Sequence, residues 1–330
     1  MLREVIEAKL TDPEDLILAR DILGTTDPDA IAAQVQAFVP GITGCVAMIQ
    51  SVGVVFVLDR GGERVVLKIH RFGPGLRDFH TFDELAAVYA AQAAVAGQVP
   101  CAEVIAPPRM FTRGRAAALM SYVAAGKLDD PQAPATGAAM AAEAARLSRL
   151  LAGHALPDRT RLPATLLPPA HNALFDHTRA GGEWIDRRAA QARAILEQGV
   201  TPAAMHSDFS LANAPVSGGR VVAIYDMDSV CLIDEPRCLA SMAIHYTYTG
   251  DSAGWPSREQ AAAFAAAYEA ARGTPFTAAE RARLNAGAIY AMAYTARCEH
   301  GFTGRDAQGG PTEPSVMCAA LAAAPDAYFD

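Results

Sequence analysis

Five polar residues that can do chemistry fall within residues 206–228, HSDFSLANAPVSGGRVVAIYDMD: His206, Asp208, Asn213, Asp226 and Asp228. Three of them lie beside or inside runs that otherwise look buried. A carboxylate, then an amide, then another carboxylate is the set that magnesium-dependent phosphoryl transfer requires. One acid orients the attacking hydroxyl, and an amide and an acid hold the metal against the phosphates. Asp208 and Asn213 are five apart, and Asp226 follows 13 after Asn213. VVAIYD reads as a buried strand ending in an acid. That would point Asp226 into a cleft, where Mg²⁺ offsets its charge. His206, two residues before an acid, is expected to prop the loop by hydrogen bonding rather than to act as the base. The competing reading is a plain loop and hairpin with solvated acids. It would leave the agreement of residue type, spacing and strand context to coincidence.

A second group lies upstream. Lys68 sits in the apolar run VVLKIHR. Of 28 basic residues only Lys9, Lys68 and Lys127 are lysines, so the chain otherwise uses arginine for its surface cations. A lysine within a strand either points to solvent from an edge or faces a cleft and meets the α/β-phosphates of a nucleotide. The second role needs an acid to hold the lysine. Glu84, 16 residues on in FDELAAVY, is the candidate, with Asp83 beside it. The loop Gln50-Ser51-Val52-Gly53 has one glycine and is neither GxGxxG nor a Walker loop. By itself it is an ordinary hairpin turn. In a nucleotide-binding lobe its N–H groups and Ser51 would cover the phosphates.

These residues need elements to position them. Short helices are expected at 3–10, 13–23 and 28–38, with breaks at Thr11-Asp12-Pro13 and before Pro28 that supply N-caps with proline at the first helical position. Strands follow at 44–50, 53–59 and 63–70, the last two joined by Arg60-Gly61-Gly62. An alanine-rich helix at 79–96 precedes strands near 102–106 and at 115–122. Beyond 124 the chain turns helical: 137–153 and 183–198, then the strand-rich segment 203–230. Helices at 237–247, 257–272, 277–300 and 313–323 close it. The pattern predicts an α+β protein of two lobes, residues 1–122 and 123–330, with a cleft between them.

Composition narrows the function class. The net charge is −8 and no basic run is present, which argues against nucleic-acid and anionic-membrane partners. The six cysteines form no CxxC pair and have no zinc-spaced histidine, as expected of scattered thiols in a reducing compartment. The charged N-terminal stretch does not read as a signal peptide, and the longest apolar run, Leu85 to Gly97, is too short to span a bilayer. A cytoplasmic monomer or homodimer is expected.

HSDFSLAN followed by IYDMD resembles the catalytic segment of the aminoglycoside phosphotransferase and choline kinase-like enzymes, the small-molecule branch of the protein-kinase-like fold. The usual forms there are HGDxxxxN and a later IDxD or IDxE. VVLKIHR is similar to the lysine strand, ALMSYVAAGKL to the hinge and AARLSRLLAGHAL to a helix that ends in Leu-His, so the resemblance spans about residues 40–250. It implies a small antiparallel β N-lobe and a larger, mainly helical C-lobe. It implies Asp208 as the hydroxyl-orienting base, and Asn213 and Asp226 as Mg²⁺ ligands with Asp228 assisting or only structuring the loop. It implies Lys68 on the ATP phosphates, Glu84 as its partner, and backbone groups near Ser121–Val123 on the adenine.

Three positions depart from the pattern. Ser207 replaces a glycine, with little effect expected. Pro215 removes a backbone donor, so an irregular hairpin is expected. Cys238 stands where an aspartate usually buttresses the catalytic loop, leaving Asp234 or Glu235 as substitute braces.

The expected activity is ATP-dependent transfer of the γ-phosphoryl to a hydroxyl of a small polar molecule: an aminoglycoside or other antibiotic, an amino alcohol, homoserine or a sugar. An acceptor cation would suit Asp234, Glu235, Asp251 or Glu299. Two other readings compete: a pseudokinase or nucleotide-binding regulator, favoured by Cys238 and the thin phosphate loop, and a DxD phosphohydrolase with Asp226 as nucleophile. His245, Tyr246 and Tyr248, and the face Tyr290, Tyr294 and Arg297, read as packing before pocket.

Overall fold

The computed structural model describes residues 2–50, 53–73, 79–167, 175–176, 178–249, 254–302 and 316–330. Three short helices open the chain: α1 (Leu2–Lys9), α2 (Pro13–Leu23) and α3 (Pro28–Phe38). Asp12 and Asp27 cap α2 and α3 through their side chains, each followed by proline, as the sequence predicts. Five strands then form one antiparallel sheet in the order β1 (Ile42–Gln50), β2 (Val54–Arg60), β3 (Glu63–Arg71), β5 (Arg115–Ser121), β4 (Val104–Thr112). Gly61 and Gly62 have φ of 60° and 90°, the left-handed pair that a two-residue hairpin turn between β2 and β3 requires.

Strand alternation decides which side chains face the chemistry. Leu67 and Ile69 point to the sheet face covered by α1–α3, where they join Ile6, Ile22, Ile31, Phe56 and Leu58. Lys68 and His70 therefore point to the opposite face, which α4 (Phe82–Val95) covers. Lys68 pairs with Val55 on β2 and Ala118 on β5, so β3 is an inner strand, and Lys68 is buried. The edge-strand reading of Lys68 is excluded.

The rest is mainly helical: α5 (Pro134–Leu151), α6 (Glu183–Leu196), α7 (Glu235–His245), α8 (Arg258–Arg272), α9 (Ala278–Gly301) and α10 (Val316–Ala323). Capping boxes start α8 (Ser257, Gln260) and α9 (Thr277, Glu280). Among these helices run four short strands: β6 (Pro202–His206), β7 (Val216–Ser217), β8 (Arg220–Val221) and β9 (Val230–Asp234). The pairing of β6 with β9 sets His206 opposite Val230. This register brings residues 207–213 and 226–229 side by side. Among the described residues no helix is long and apolar enough to cross a membrane.

VVAIYD does not form the expected strand. Val222 N–H donates to Pro215, Ile224 to Pro100 and Tyr225 to Asn213. Successive backbone groups thus pair with different segments, and only an isolated bridge, Cys101 to Ile224, remains of sheet geometry. The hairpin after Pro215 is correspondingly reduced to the two-residue strands β7 and β8. The first of the two later strands is longer than expected and runs to Thr112.

Candidate active site

His206 ends β6 and is buried. Its Nε2 donates to the Tyr225 carbonyl (2.9 Å), and its Nδ1 accepts from the Asp208 N–H (3.3 Å). Both nitrogens are thereby committed, which suits a prop rather than a base. Ser207 donates to the Ser229 carbonyl from both its N–H (3.0 Å) and its hydroxyl (2.9 Å). Leu211 and Ala212 N–H donate to the carbonyls of Tyr246 and Tyr248, both at 2.8 Å. The Asn213 Nδ2 donates to Asp208 twice, to its carbonyl and to Oδ2, each at 2.9 Å. Acid and amide are thus one hydrogen-bonded unit, and the Asn213 Oδ1 is the atom left to meet a cation.

Asp226 adopts φ 49°, ψ 39° and leads into a 3-10 turn, Met227–Ser229. Its carboxylate is 41% exposed, whereas that of Asp228 is 16% exposed. Lys68 Nζ lies 2.8 Å from Asp226 Oδ1 and 2.6 Å from Asp228 Oδ1. Burial opposes the lysine charge, yet the two carboxylates overcome it and hold the ammonium protonated beyond its ordinary range. Burial likewise opposes the Asp228 charge, and Lys68 outweighs it and holds the carboxyl at about 2.

The donors suit Mg²⁺: an amide oxygen from Asn213 and a half-exposed carboxylate from Asp226, all hard oxygens. Among the described residues no group of three acidic, histidine or cysteine side chains forms a cage. Mg²⁺ is commonly held by one or two carboxylates together with substrate phosphates.

Other expected residues fall as follows. Ser121 lies on β5 and exchanges bonds with Glu103: its hydroxyl accepts from the Glu103 N–H and its N–H donates to the Glu103 carbonyl, both 2.9 Å. The Val123 carbonyl accepts from the Tyr225 hydroxyl at 2.9 Å. Ser51 lies outside the described residues. Gly53 does not: a Cβ there would sit 2.9 Å from the Ile69 carbonyl and 3.6 Å from Lys68 Cε. At Gly53 the backbone lies too close to β3 for a side chain without a shift.

Glu84 does not meet Lys68. Its carboxylate binds Arg159 at 3.1 and 3.2 Å and accepts from the His80 N–H at 2.7 Å. As the third residue of α4 it lies at the helix start, with its own N–H on the Thr81 cap. There it faces Arg159 and not the sheet. The expected Lys68–Glu84 pair is not formed.

Cys238 is buried, and its Sγ lies 3.9 Å from the His206 carbonyl. The thiol, pushed well up by burial, stays neutral and is a weak donor to that carbonyl. Asp234 and Glu235 do not substitute as braces. Asp234 accepts from the Thr201 N–H and pairs with Arg283, while Glu235 pairs with Arg272 and accepts from Tyr268. Both are buried, so neither is available to an acceptor cation. Glu299 accepts from the Met317 N–H, and Asp251 is outside the described residues. The loop is held instead by main-chain carbonyls of Tyr225, Ser229, Tyr246 and Tyr248.

Of the remaining candidates, Tyr246, His245 and Arg297 pack into the protein, whereas Tyr248 is 41% exposed and stacks on Trp255. Tyr246 is buried and stacks on Phe264, and Arg297 is buried. His245 donates from Nδ1 to the Ser241 carbonyl and accepts from the Thr295 hydroxyl.

Three residues near the site carried no expected role: His70, Tyr89 and Tyr225. Alternation along VVLKIHR was the available signal for His70, because it puts His70 and Lys68 on one face. Arg159 lies in a stretch with no periodicity and gave none.

Comparisons with known proteins bear on the family and the fold. Residues 50–284 match the profile of the phosphotransferase enzyme family (APH). Among solved structures, a choline/ethanolamine kinase family protein from Mesorhizobium loti is similar, with a TM-score of 0.58 at 21% identity over 91% of this chain and 97% of that one. A microcompartment-associated aminopropanol kinase gives 0.55 at 15% identity, over 89% and 94%. A type VIII aminoglycoside-3'-phosphotransferase gives 0.51 at 18% identity, over 81% and 98%. No sequence match was found among curated proteins. The fold is α+β and protein-kinase-like.

Proposed function

The chain belongs to the phosphotransferase enzyme family and is a small-molecule kinase, and we propose that it moves the γ-phosphoryl group of ATP to a hydroxyl of a small polar acceptor. One observation carries the reading. Lys68 from the sheet meets Asp226 across 158 residues of chain, beside the Asp208–Asn213 unit, so a cation, a base and two hard-oxygen donors share one place. In this reading residues 1–122 bind the nucleotide and 123–330 carry the catalytic loop and the acceptor.

Asp208 orients the acceptor hydroxyl and takes its proton as the oxygen attacks phosphorus. The Asn213 amide fixes the orientation of that carboxylate. Lys68 places its charge against the phosphates. Gly53, close against the Ile69 carbonyl and Lys68, would let the backbone approach the phosphates without a side chain in the way. Backbone groups around Ser121–Val123 meet the base, with the Val123 carbonyl already tied to Tyr225. Mg²⁺, held by Asn213 and Asp226, would neutralise the phosphate charge that develops during transfer. Catalysis on this plan is positioning and charge stabilisation, with no covalent enzyme intermediate.

The acceptor class is an amino alcohol, aminoglycoside, homoserine or sugar. The amine-bearing acceptors named in the choline/ethanolamine, aminopropanol and aminoglycoside kinases of like fold favour the first two. The test is ADP release from Mg·ATP against acceptor pools, repeated with Asp208→Ala. Transfer should vanish in the variant while ATP binding persists. Undiminished transfer by Asp208→Ala would overturn its role, and ATP binding without turnover on any acceptor would favour a regulator.

A further inference from the structure

The lysine of this site has an anchor that its helix does not supply. The inward-facing, buried residues of α4 are Leu85, Val88, Tyr89, Ala91, Gln92 and Val95, and the acids of its first turn are Asp83 and Glu84. No carboxylate therefore lies on the part of α4 that covers Lys68. Glu84 is held by Arg159 and the His80 N–H.

Asp228 stands in that place from the other direction. It makes the shorter of the two Lys68 contacts, 2.6 Å against 2.8 Å for Asp226. Its second oxygen, Oδ2, faces His70 Nδ1 at 3.7 Å. His70 Nε2 lies 2.8 Å from the Tyr89 hydroxyl, and both side chains are buried. Burial keeps the imidazole neutral, with its pKa lowered to about 4, and keeps Tyr89 a phenol. One proton arrangement gives every donor an acceptor. Tyr89 O–H donates to Nε2, and the Nδ1 proton points at Asp228. Phe79 closes the pocket edge-on, 5.6 Å from the imidazole.

We propose that Asp228, steadied by His70 and Tyr89, is the carboxylate that positions Lys68 for the nucleotide phosphates, in the role expected of Glu84. This rests on the phosphotransferase reading of Lys68. The two aspartates then divide the work. Asp226, the more exposed, can release the lysine and turn to a cation. Asp228, enclosed, keeps its hold on Lys68 when that happens. Tyr89 and His70 are positioning residues, acting through Asp228.

The test compares ATP with adenosine, because only ATP offers phosphates to Lys68. Calorimetric affinities for both, with Mg²⁺ present, are measured for the wild type, Lys68→Met, Asp228→Asn, Tyr89→Phe and Glu84→Gln. Asp228→Asn should behave like Lys68→Met, losing about tenfold or more in ATP affinity with adenosine binding unchanged. Tyr89→Phe removes one oxygen and should lose about threefold for ATP alone. Glu84→Gln should stay within about twofold of the wild type.

A residue that merely supports the fold would weaken both ligands together, and that outcome overturns the proposal. So does Asp228→Asn binding ATP equally or more tightly, as simple relief of charge repulsion would give. Loss in Glu84→Gln matching that of Lys68→Met returns the anchor to the helix and overturns it too. If Asp228→Asn fails to fold, unchanged ATP preference in Tyr89→Phe is sufficient to reject the relay. A wild type with no preference for ATP over adenosine instead removes the phosphotransferase reading on which the inference stands.

Discussion

Two ionic clusters flank β9, and they differ in a way that separates chemistry from support. Before the strand, Asp226 and Asp228 share one lysine. At its end, Asp234 and Glu235 take one arginine each, Arg283 and Arg272. The second cluster is closed. Asp234 is 2% exposed, its Oδ1 also accepts from the Thr201 N–H, and Glu235 accepts from Tyr268. The first is open, with Asp226 41% exposed in a turn. Arginine fixes a carboxylate with a rigid planar fork, whereas lysine is a point charge on a flexible stem that can change partners. A carboxylate sharing a lysine at an opening is available for a ligand. A buried carboxylate facing an arginine beneath helices holds the fold, even where, as at Asp234, the pair is a single 3.4 Å contact.

The largest expected effect breaks the open cluster. Asp226→Asn, which keeps the left-handed conformation, should reduce phosphoryl transfer by about a thousandfold or more, the scale of removing a group that stabilises transition-state charge, while the thermal midpoint moves far less than in Asp234→Ala. Steady-state ADP release and a melting curve check both halves. Asp234→Ala should do the reverse. It leaves Arg283 buried without its acid and should cost about 3–5 kcal/mol of stability in denaturant titration. The folded fraction should still turn over normally. If Asp234→Ala lowered turnover and spared stability, the division between the clusters would fail.

A smaller effect sharpens the comparison. In the presence of ATP, Mg²⁺ at a hundred times its dissociation constant should stabilise the wild type by about 2.7 kcal/mol. It should give no such gain in Asp226→Ala, and Asp234→Asn should keep the gain. Differential scanning calorimetry reads all three.

The smallest is a pH effect at His245, which belongs to neither cluster but feels the charge of Asp208. Burial lowers the pKa of His245 below its ordinary 6.5, so the folded protein takes up that proton later than the unfolded chain does. Stability contributed by the neutral ring is present above pH 6.5 and is lost as pH falls below it. Melting temperature should decline from pH 7 to 5, and less steeply in His245→Gln. An equal slope in the variant would assign the decline elsewhere.

Much of this was legible in the sequence because it rests on local rules. The capped helices and the Gly61-Gly62 hairpin follow from cap chemistry and turn chemistry, whereas apolar context alone left Lys68 between an edge strand and a cleft. Asp208, Asn213 and Asp226 come together because β6 and β9 pair, and their spacing announces it. What escaped notice depends on long-range partners. Glu84 has a plausible distance from Lys68 in sequence, but its place in the first turn of α4 gives it to Arg159, a residue in an aperiodic segment. VVAIYD has strand propensity, yet its neighbours offer one hydrogen bond each from separate segments. His70 and Tyr89 looked like filler on apolar elements because nothing local tells a buried polar pair from ordinary core. Cys238 was readable as a missing brace, but not the main-chain carbonyls that hold the loop in its stead.

Asp226 is the one non-glycine residue with positive φ among those described. L-residues other than asparagine, aspartate and glycine are costly in that conformation, by about 1–2 kcal/mol. The position therefore carries two separable constraints, a charge and a handedness. Asp226→Gly would keep the handedness and discard the carboxylate, leaving Lys68 with Asp228 alone. Asp226→Asn keeps the handedness and removes only the charge. Comparing the two variants therefore separates what the charge does from what the backbone conformation does.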